Sequence, residues 1–224
     1  MVDKAVCLCQ AFVREKENRE FLKSINLHSK CPNRPVCLMQ NGNMPAGEQK
    51  DPRARILEAA DRLFYAEGVR ATGTEKIMAE SGVAKATFYR HYESKDDLVM
   101  AYLDDRERQL WEYMNTPQPP GDIFEALQKL ERYMNAPGVI GCPFLRVASE
   151  FPDTTNPFHR RVIAQKDKLL AFLSDLLKPQ HKDHKMIATQ LLALIDGCLS
   201  LRMVYGQGRR VALMKPAELL LPSR

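Results

Sequence analysis

No apolar run in this chain approaches the roughly 18 residues that a membrane-crossing helix requires. Neither a phosphate-cradling glycine loop nor a common nucleophile motif occurs in it. Tryptophan occurs once, aromatic residues make up 8%, and the five histidines stand apart. His159, His181 and His184 lack the paired spacing of a metal site. These absences argue against a membrane protein, a phosphate-loop enzyme and a zinc hydrolase. They leave an expectation of no catalysis, no cofactor and no bound metal. Excess charge is scarce too: 33 Lys and Arg stand against 28 Asp and Glu, a net of +5. The first 43 residues hold seven of those bases and four of the acids, leaving 26 against 24 for the rest. Global charge therefore says little about nucleic acid, and any such case rests on local placement. No secretory leader is evident, because the apolar stretch after Lys4 is short and broken by Gln10, Arg14 and Glu15. A cytoplasmic chain is expected, and 224 residues at 45% hydrophobic content suffice for a substantial core.

The first 43 residues differ in character. Cys7, Cys9, Cys31 and Cys37 place four of the six cysteines there, among Pro32, Pro35 and an Asn-Gly-Asn. The C-x-C and C-x5-C spacings match no common zinc pattern, and a disulfide framework is unexpected in the cytoplasm. A metal or redox module with His28 as an extra ligand is the sharper reading. The preferred one is an atypical extension over 1–43, disordered or non-native, with translation starting at Met44.

From Pro52 the pattern becomes helical. Ile56, Ala60, Leu63 and Phe64 form one stripe, with Asp51 to cap it, Pro52 at the first helical position and Gly68 to end it. Arg53 and Arg55 near its start are candidates for phosphate contact. A short helix from about Thr74 to Ser81 follows, with Thr72 and Glu75 at capping-box spacing. Gly82 can take the positive φ of a helix end, and Val83 plugs the corner. The next helix, about Lys85 to Tyr92, can turn Phe88 and Tyr92 inward at i, i+4. Lys85, Thr87, Tyr89, Arg90 and His91 then face out. A short helix that exposes donors, a hydroxyl and an aromatic ring suits a DNA major groove.

The run Gly82-Val83-Ala84-Lys85-Ala86-Thr87-Phe88-Tyr89-Arg90-His91-Tyr92-Glu93-Ser94-Lys95, continuing into Asp96-Asp97-Leu98, resembles the helix-turn-helix signature of the TetR family of transcriptional regulators. The similarity reaches back over Ile56 to Gly68, which resembles that family's first helix. It implies an all-α protein with an N-terminal three-helix DNA-binding domain over 44–97. A larger C-terminal helical domain for effector binding and dimerisation would span 98–224. It further implies double-stranded DNA with a palindromic operator as partner, a homodimer, and a small-molecule effector. Thr74 resembles the family's phosphate-binding hydroxyl, Lys95 its phosphate lysine, and Tyr89 and His91 positions that hold phosphates. By chemistry, Lys85 can donate to guanine, Ala86 and Thr87 can offer methyl contact to thymine, and Arg90 is ambiguous between groove and surface. Ala84 lacks the capping oxygen common before this helix, leaving its N–H groups for phosphate. Glu75 sets an acid beside Thr74, which should weaken non-specific binding.

Beyond Leu98 the sequence reads as helices over about Asp96–Met114, Ile123–Met134, a shorter one opened by Pro143, then Pro157–Lys178 and Lys185–Tyr205. The TPQPPG run at 116–121 separates the first two. The last two carry apolar faces too wide for one antiparallel pair, which predicts a packing partner. The resemblance implies that the partner is a second copy of the chain, a homodimer through these helices with Ala188, Ala193 and Gly197 allowing close approach; the alternative is that the faces are intramolecular core. Trp111, Phe124, Tyr133, Cys142 and Phe144 are candidates for an effector pocket. Cys142 heads a helix, which favours thiolate and a redox or electrophile sensor; the blander alternative is a small buried hydrophobe. The expected function is a repressor whose effector moves the fourth helix and shifts the spacing of two reading heads. An interaction or nucleoid-associated protein with the same head and no ligand is the alternative.

Overall fold

The computed structural model describes residues 51–221, so the readings made for 1–43 and the start at Met44 lie outside the described residues. Among the described residues nine α-helices follow one another: α1 Pro52–Glu67, α2 Thr74–Ser81, α3 Lys85–His91, α4 Lys95–Asn115, α5 Ile123–Met134, α6 Pro143–Glu150, α7 Pro157–Leu177, α8 His184–Tyr205 and α9 Met214–Leu220. A 3-10 turn at Gly206–Gly208 precedes α9, and the described residues contain no strand. The all-α architecture expected from the sequence is what the chain adopts. The sequence reading stopped at Tyr205 and assigned no helix to α9.

Local chemistry sets most of the helix starts. Asp51 Oδ1 accepts from Arg53 N at 3.4 Å, and Pro52 opens α1. At α4 the Ser94 hydroxyl accepts from Asp97 N at 3.1 Å while Asp97 Oδ2 accepts from Ser94 N at 2.9 Å, a reciprocal cap. Asp122 caps α5 through Glu125 N at 2.8 Å, and Asn156 caps α7 through Phe158 N at 2.9 Å. The expected Thr72 cap on α2 is not formed. Gly73 takes the N-cap position, and the fully buried Thr72 hydroxyl instead donates to Gly68 O at 2.8 Å. Thr72 thereby closes the loop between α1 and α2 rather than starting the helix.

Two apolar cores result. The first joins Ile56, Phe64, Ile77, Phe88, Tyr92 and Leu98 with residues far along the chain: Phe144 and Val147 of α6, Phe158 and Val162 of α7. The second joins Leu110 and Met114 at the end of α4 to α5, the later part of α7, α8 and α9. Helix α4 runs from one core into the other. Polar ties reinforce it: Glu107 accepts from Arg161 and Lys168 at 2.5 Å each, linking α4 to α7. Ala188 is fully buried in the second core, so it cannot serve as a close-approach residue for a partner. Ala193 and Gly197 remain on the outside. A segment from His184 to Gly208, with mean hydropathy 1.5, is long and apolar enough to cross a membrane by length and composition alone. The sequence reading missed this because polar residues interrupt the run, yet they are few.

Candidate nucleic-acid interface

The turn between α2 and α3 is built on Gly82, whose φ of +63° lies in the left-handed region. Val83 N donates back to Met78 O at 3.2 Å. The Arg55 side chain, a candidate for phosphate contact or for plain solvation by sequence, is committed here instead. Its Nε donates to Ser81 O at 3.0 Å, and its Nη2 donates to Ser81 O and Gly82 O at 2.6 Å each. These carbonyls end a helix and lack intrahelical partners, so one guanidinium fixes α1 against the turn. Arg53 lies over the Tyr92 ring, 5.6 Å from its centroid.

Helix α3 ends at His91, with Tyr92 as its C-cap. Phe88 is fully buried and Tyr92 nearly so, and they fasten the helix by one face. Lys85, Ala86, Tyr89 and Arg90 are exposed on the other, while Thr87 and His91 are half-buried. Tyr89 keeps 40% of its surface exposed, with its ring edge against Phe88 at 5.2 Å. His91 Nε2 is buried without a hydrogen-bond partner. Ala84 supplies no side-chain cap. Thr74 and Lys95 are the half-buried first residues of α2 and α4. Among the described residues, Lys85, Arg90 and Lys95 join no ion pair, whereas Arg62 is held by Glu80 at 2.8 Å and Lys76 by Glu67 at 2.5 Å. The cations of α3 and the start of α4 are thus among those without an ion pair.

Sequence reasoning missed a second set of residues, which lock α6 to the head. Glu150, at the end of α6, accepts from Val69 N at 3.0 Å and Arg70 N at 2.6 Å in the loop after α1. Gly68 sits at φ +97°, and a Cβ there would come 2.7 Å from Glu150 Oε1, so both backbone and carboxylate require glycine. Arg146 donates to Ala66 O at 3.0 Å. The Tyr65 hydroxyl donates to Gly141 O at 2.8 Å and accepts from Ile140 N at 2.9 Å. Glu150→Ala strips partners from two N–H groups, one part-buried, at a cost on the order of 1–3 kcal/mol. The expected outcome is faster amide exchange in the 68–72 loop and weaker DNA binding, with the second core's protection unchanged; unchanged exchange in the loop would contradict the latch.

The five effector-pocket candidates divide between the two cores. Trp111, Phe124 and Tyr133 pack against the second core, Trp111 edge-on to Phe172 at 5.1 Å. Cys142 and Phe144 belong to the first. A cleft of about 410 Å³ between α1 and α4, lined by Arg53, Leu57, Tyr92, Ala101, Asp105 and Arg108 among others, contains none of the five. Of the two readings of Cys142, the structure favours the small buried hydrophobe over the thiolate. Its sulfur accepts from Leu145 N at 3.5 Å, but burial pushes the thiol above its ordinary value despite Lys166 Nζ at 3.8 Å. Desolvation outweighs the helix terminus.

Residues 56–102 match the family model described as bacterial regulatory proteins, tetR family. An HTH-type transcriptional repressor of Mycobacterium tuberculosis is 33% identical over 110 residues, which are 49% of this chain and 58% of that protein. The chain therefore spans little more than half the length of that curated relative. A solved TetR-family transcriptional regulator from Streptomyces coelicolor superposes with a TM-score of 0.69 at 30% identity, covering 75% of this chain and 93% of the other. A putative TetR-type regulator from Streptomyces avermitilis gives 0.64 at 27% identity, covering 77% and 97%. The likeness thus runs from the helix-turn-helix through nearly the whole of a solved relative, and the chain belongs to the TetR family of bacterial regulatory proteins.

Proposed function

We propose that the chain is a cytoplasmic, non-enzymatic repressor that binds a palindromic operator as a homodimer and is released by a small-molecule effector. The observation that carries the reading is α3: a helix anchored by Phe88 and Tyr92 that exposes Lys85, Ala86, Tyr89 and Arg90, with Lys85 and Arg90 unpaired. Lys85 and Arg90 are donors for guanine edges, and Ala86 and Thr87 offer methyls to thymine. Thr74, Tyr89, His91 and Lys95 hold phosphates and set the register. The outward apolar residues of α7 and α8, Ile163, Met186, Leu201 and Val204 among them, supply the dimer face. A two-fold operator requires such a mate. Effector and operator then compete by shifting one conformational equilibrium, so DNA weakens effector binding by the factor with which effector weakens DNA binding.

Footprinting of the full chain on its own promoter-proximal DNA, across a salt series with random DNA as competitor, tests this. A protected palindrome favoured by about 10³ or more over random sequence is expected. Tyr89→Ala should weaken protection. Lys95→Ala should lower the salt slope of the dimer by about two, as expected when one phosphate per protomer is no longer neutralised. Sequence-blind binding would instead assign the head to a nucleoid-associated or scaffold role.

A further inference from the structure

The turn that delivers α3 is held from outside its own segment. At the end of α2 the Met78 carbonyl accepts from Val83 N at 3.2 Å and the Ala79 carbonyl from Gly82 N at 3.3 Å. The Ser81 and Gly82 carbonyls accept instead from the Arg55 guanidinium. A helix C-terminus favours a nearby cation, and the last turn of α2 has no basic residue of its own. Arg55 supplies that charge from the first turn of α1. Its neighbour Ile56 is fully buried, so the side chain starts from a fixed point. The fit is close: a Cβ on Gly82 would lie 3.1 Å from Arg55 Nη2. Two further ties join α1 to α2, Arg62 with Glu80 and Glu67 with Lys76, but both are solvent-exposed pairs of small worth.

What the turn places is the reading end of α3. Phe88 and Tyr92 anchor the middle of that helix and its C-cap, leaving Lys85 and Ala86 at the end beside the turn. Ala84 gives no side-chain cap, so no local side-chain bond fixes the first turn of α3. Base-edge recognition depends on where a donor points, whereas attraction to phosphate depends chiefly on charge. We infer that Arg55 is a positioning residue for operator selectivity: clamped on the Ser81 and Gly82 carbonyls, it sets where Lys85 and Ala86 meet the bases, and it neutralises no phosphate. This rests on the regulator reading above and adds a residue that selects sequence without touching DNA. A planar guanidinium fork suits two adjacent carbonyls, and the Nε and Nη2 donors are committed to them.

The test compares the full-length parent with Arg55→Met and Arg55→Lys, on the operator found by footprinting and on random duplex DNA, over a salt series. Methionine keeps the apolar stem and removes the charge and the donors; lysine keeps the charge without the fork. Arg55→Met should lose about tenfold or more in operator affinity, while its affinity for random DNA and its salt slopes stay at parent values. A phosphate contact would instead lower the slope of the Arg55→Met dimer by about two and leave Arg55→Lys near the parent. That pattern would overturn the inference. Operators substituted base by base give a readout that loss of folding does not move. Arg55→Met should lose discrimination at the base pairs that Lys85→Ala also ceases to discriminate, and keep it where Arg90→Ala loses it. The double variant Arg55→Met, Lys85→Ala should lose no more at those base pairs than Lys85→Ala alone. The same scan on Arg55→Lys decides the case should the head of the methionine variant melt. Equal loss at every base pair by a folded variant would make Arg55 structural only and overturn the inference, as would an Arg55→Met chain as selective as the parent. A parent without sequence preference would overturn the regulator reading itself, an outcome visible before any Arg55 variant is made.

Discussion

Phe88→Ala is expected to abolish operator binding while leaving the second core folded. Phe88 is fully buried, with Tyr89 edge-on at 5.2 Å and Tyr92 at 6.4 Å between centroids. Truncating a buried phenylalanine costs about 3–5 kcal/mol, through lost transfer energy and the cavity that remains. Helix α3 has seven residues and no side-chain N-cap, so it has little helical tendency of its own. Its conformation depends on that ring. The head cannot spread the cost widely, because its core draws on few large side chains from α1 to α3: Ile56, Phe64, Ile77 and Phe88 itself. Hydrogen exchange should show lost protection from about 74 to 92 and retained protection in α7 and α8. Phe88→Leu, which keeps most of the volume, should recover much of the binding. An alanine variant that binds operator like the parent would refute the claim that this residue holds the reading helix in place.

The helix boundaries around that ring were legible because the information is local. Asp51-Pro52, Ser94 with Asp97, and Gly82 each act within four residues of themselves, and the structure uses all three. Spacing also gave the correct inward pair, Phe88 and Tyr92, and the exposure of Lys85, Tyr89 and Arg90, whereas Thr87 and His91 are half-buried. Long-range chemistry was not legible. Arg55 looked free in the sequence because its acceptors, the Ser81 and Gly82 carbonyls, are 26 and 27 residues away. Glu150 drew no notice because its donors are backbone groups 80 residues upstream, which no side-chain pattern reveals. Cys142 stood open between a sensor and a buried hydrophobe for a related reason. Its helix-terminal position can be read locally, but its burial beneath other elements cannot, and burial decides its protonation. Helix α8 was ambiguous on a different ground. With apolar residues on most of its circumference, periodicity could not say that Ala188 turns in while Ala193 and Gly197 turn out.

That outward face of α8 carries the other large expected effect. Gly197→Glu should leave each protomer folded, convert the dimer to monomer, and reduce operator affinity by about 10³ or more. Ile187, Leu191, Ile195, Cys198 and Arg202 face the protomer's own core. The opposite side presents Met186, Leu201 and Val204 at 57%, 46% and 74% exposure, with Ala193, Gly197 and Ser200 exposed between them. A Cβ added at Gly197 would meet no atom within 4 Å, and its φ is not positive, so neither the fold nor the backbone of the protomer asks for glycine. Glycine inside a helix costs about 1 kcal/mol relative to alanine. In the dimer proposed above, close approach of a second helix over Ala193 and Gly197 would offset that cost, with Leu201 and Val204 packing beside it. Glutamate would place an unpaired charge there, a heavy penalty at a buried interface and a slight one on a solvated helix. Sedimentation equilibrium should therefore show a folded monomer, whose unfolding temperature no longer rises with protein concentration. Gly197→Ala, improving the helix without adding charge, should remain dimeric. A glutamate variant that stays dimeric would place the interface on another face, and the exposed apolar run of α8 would then need a different partner.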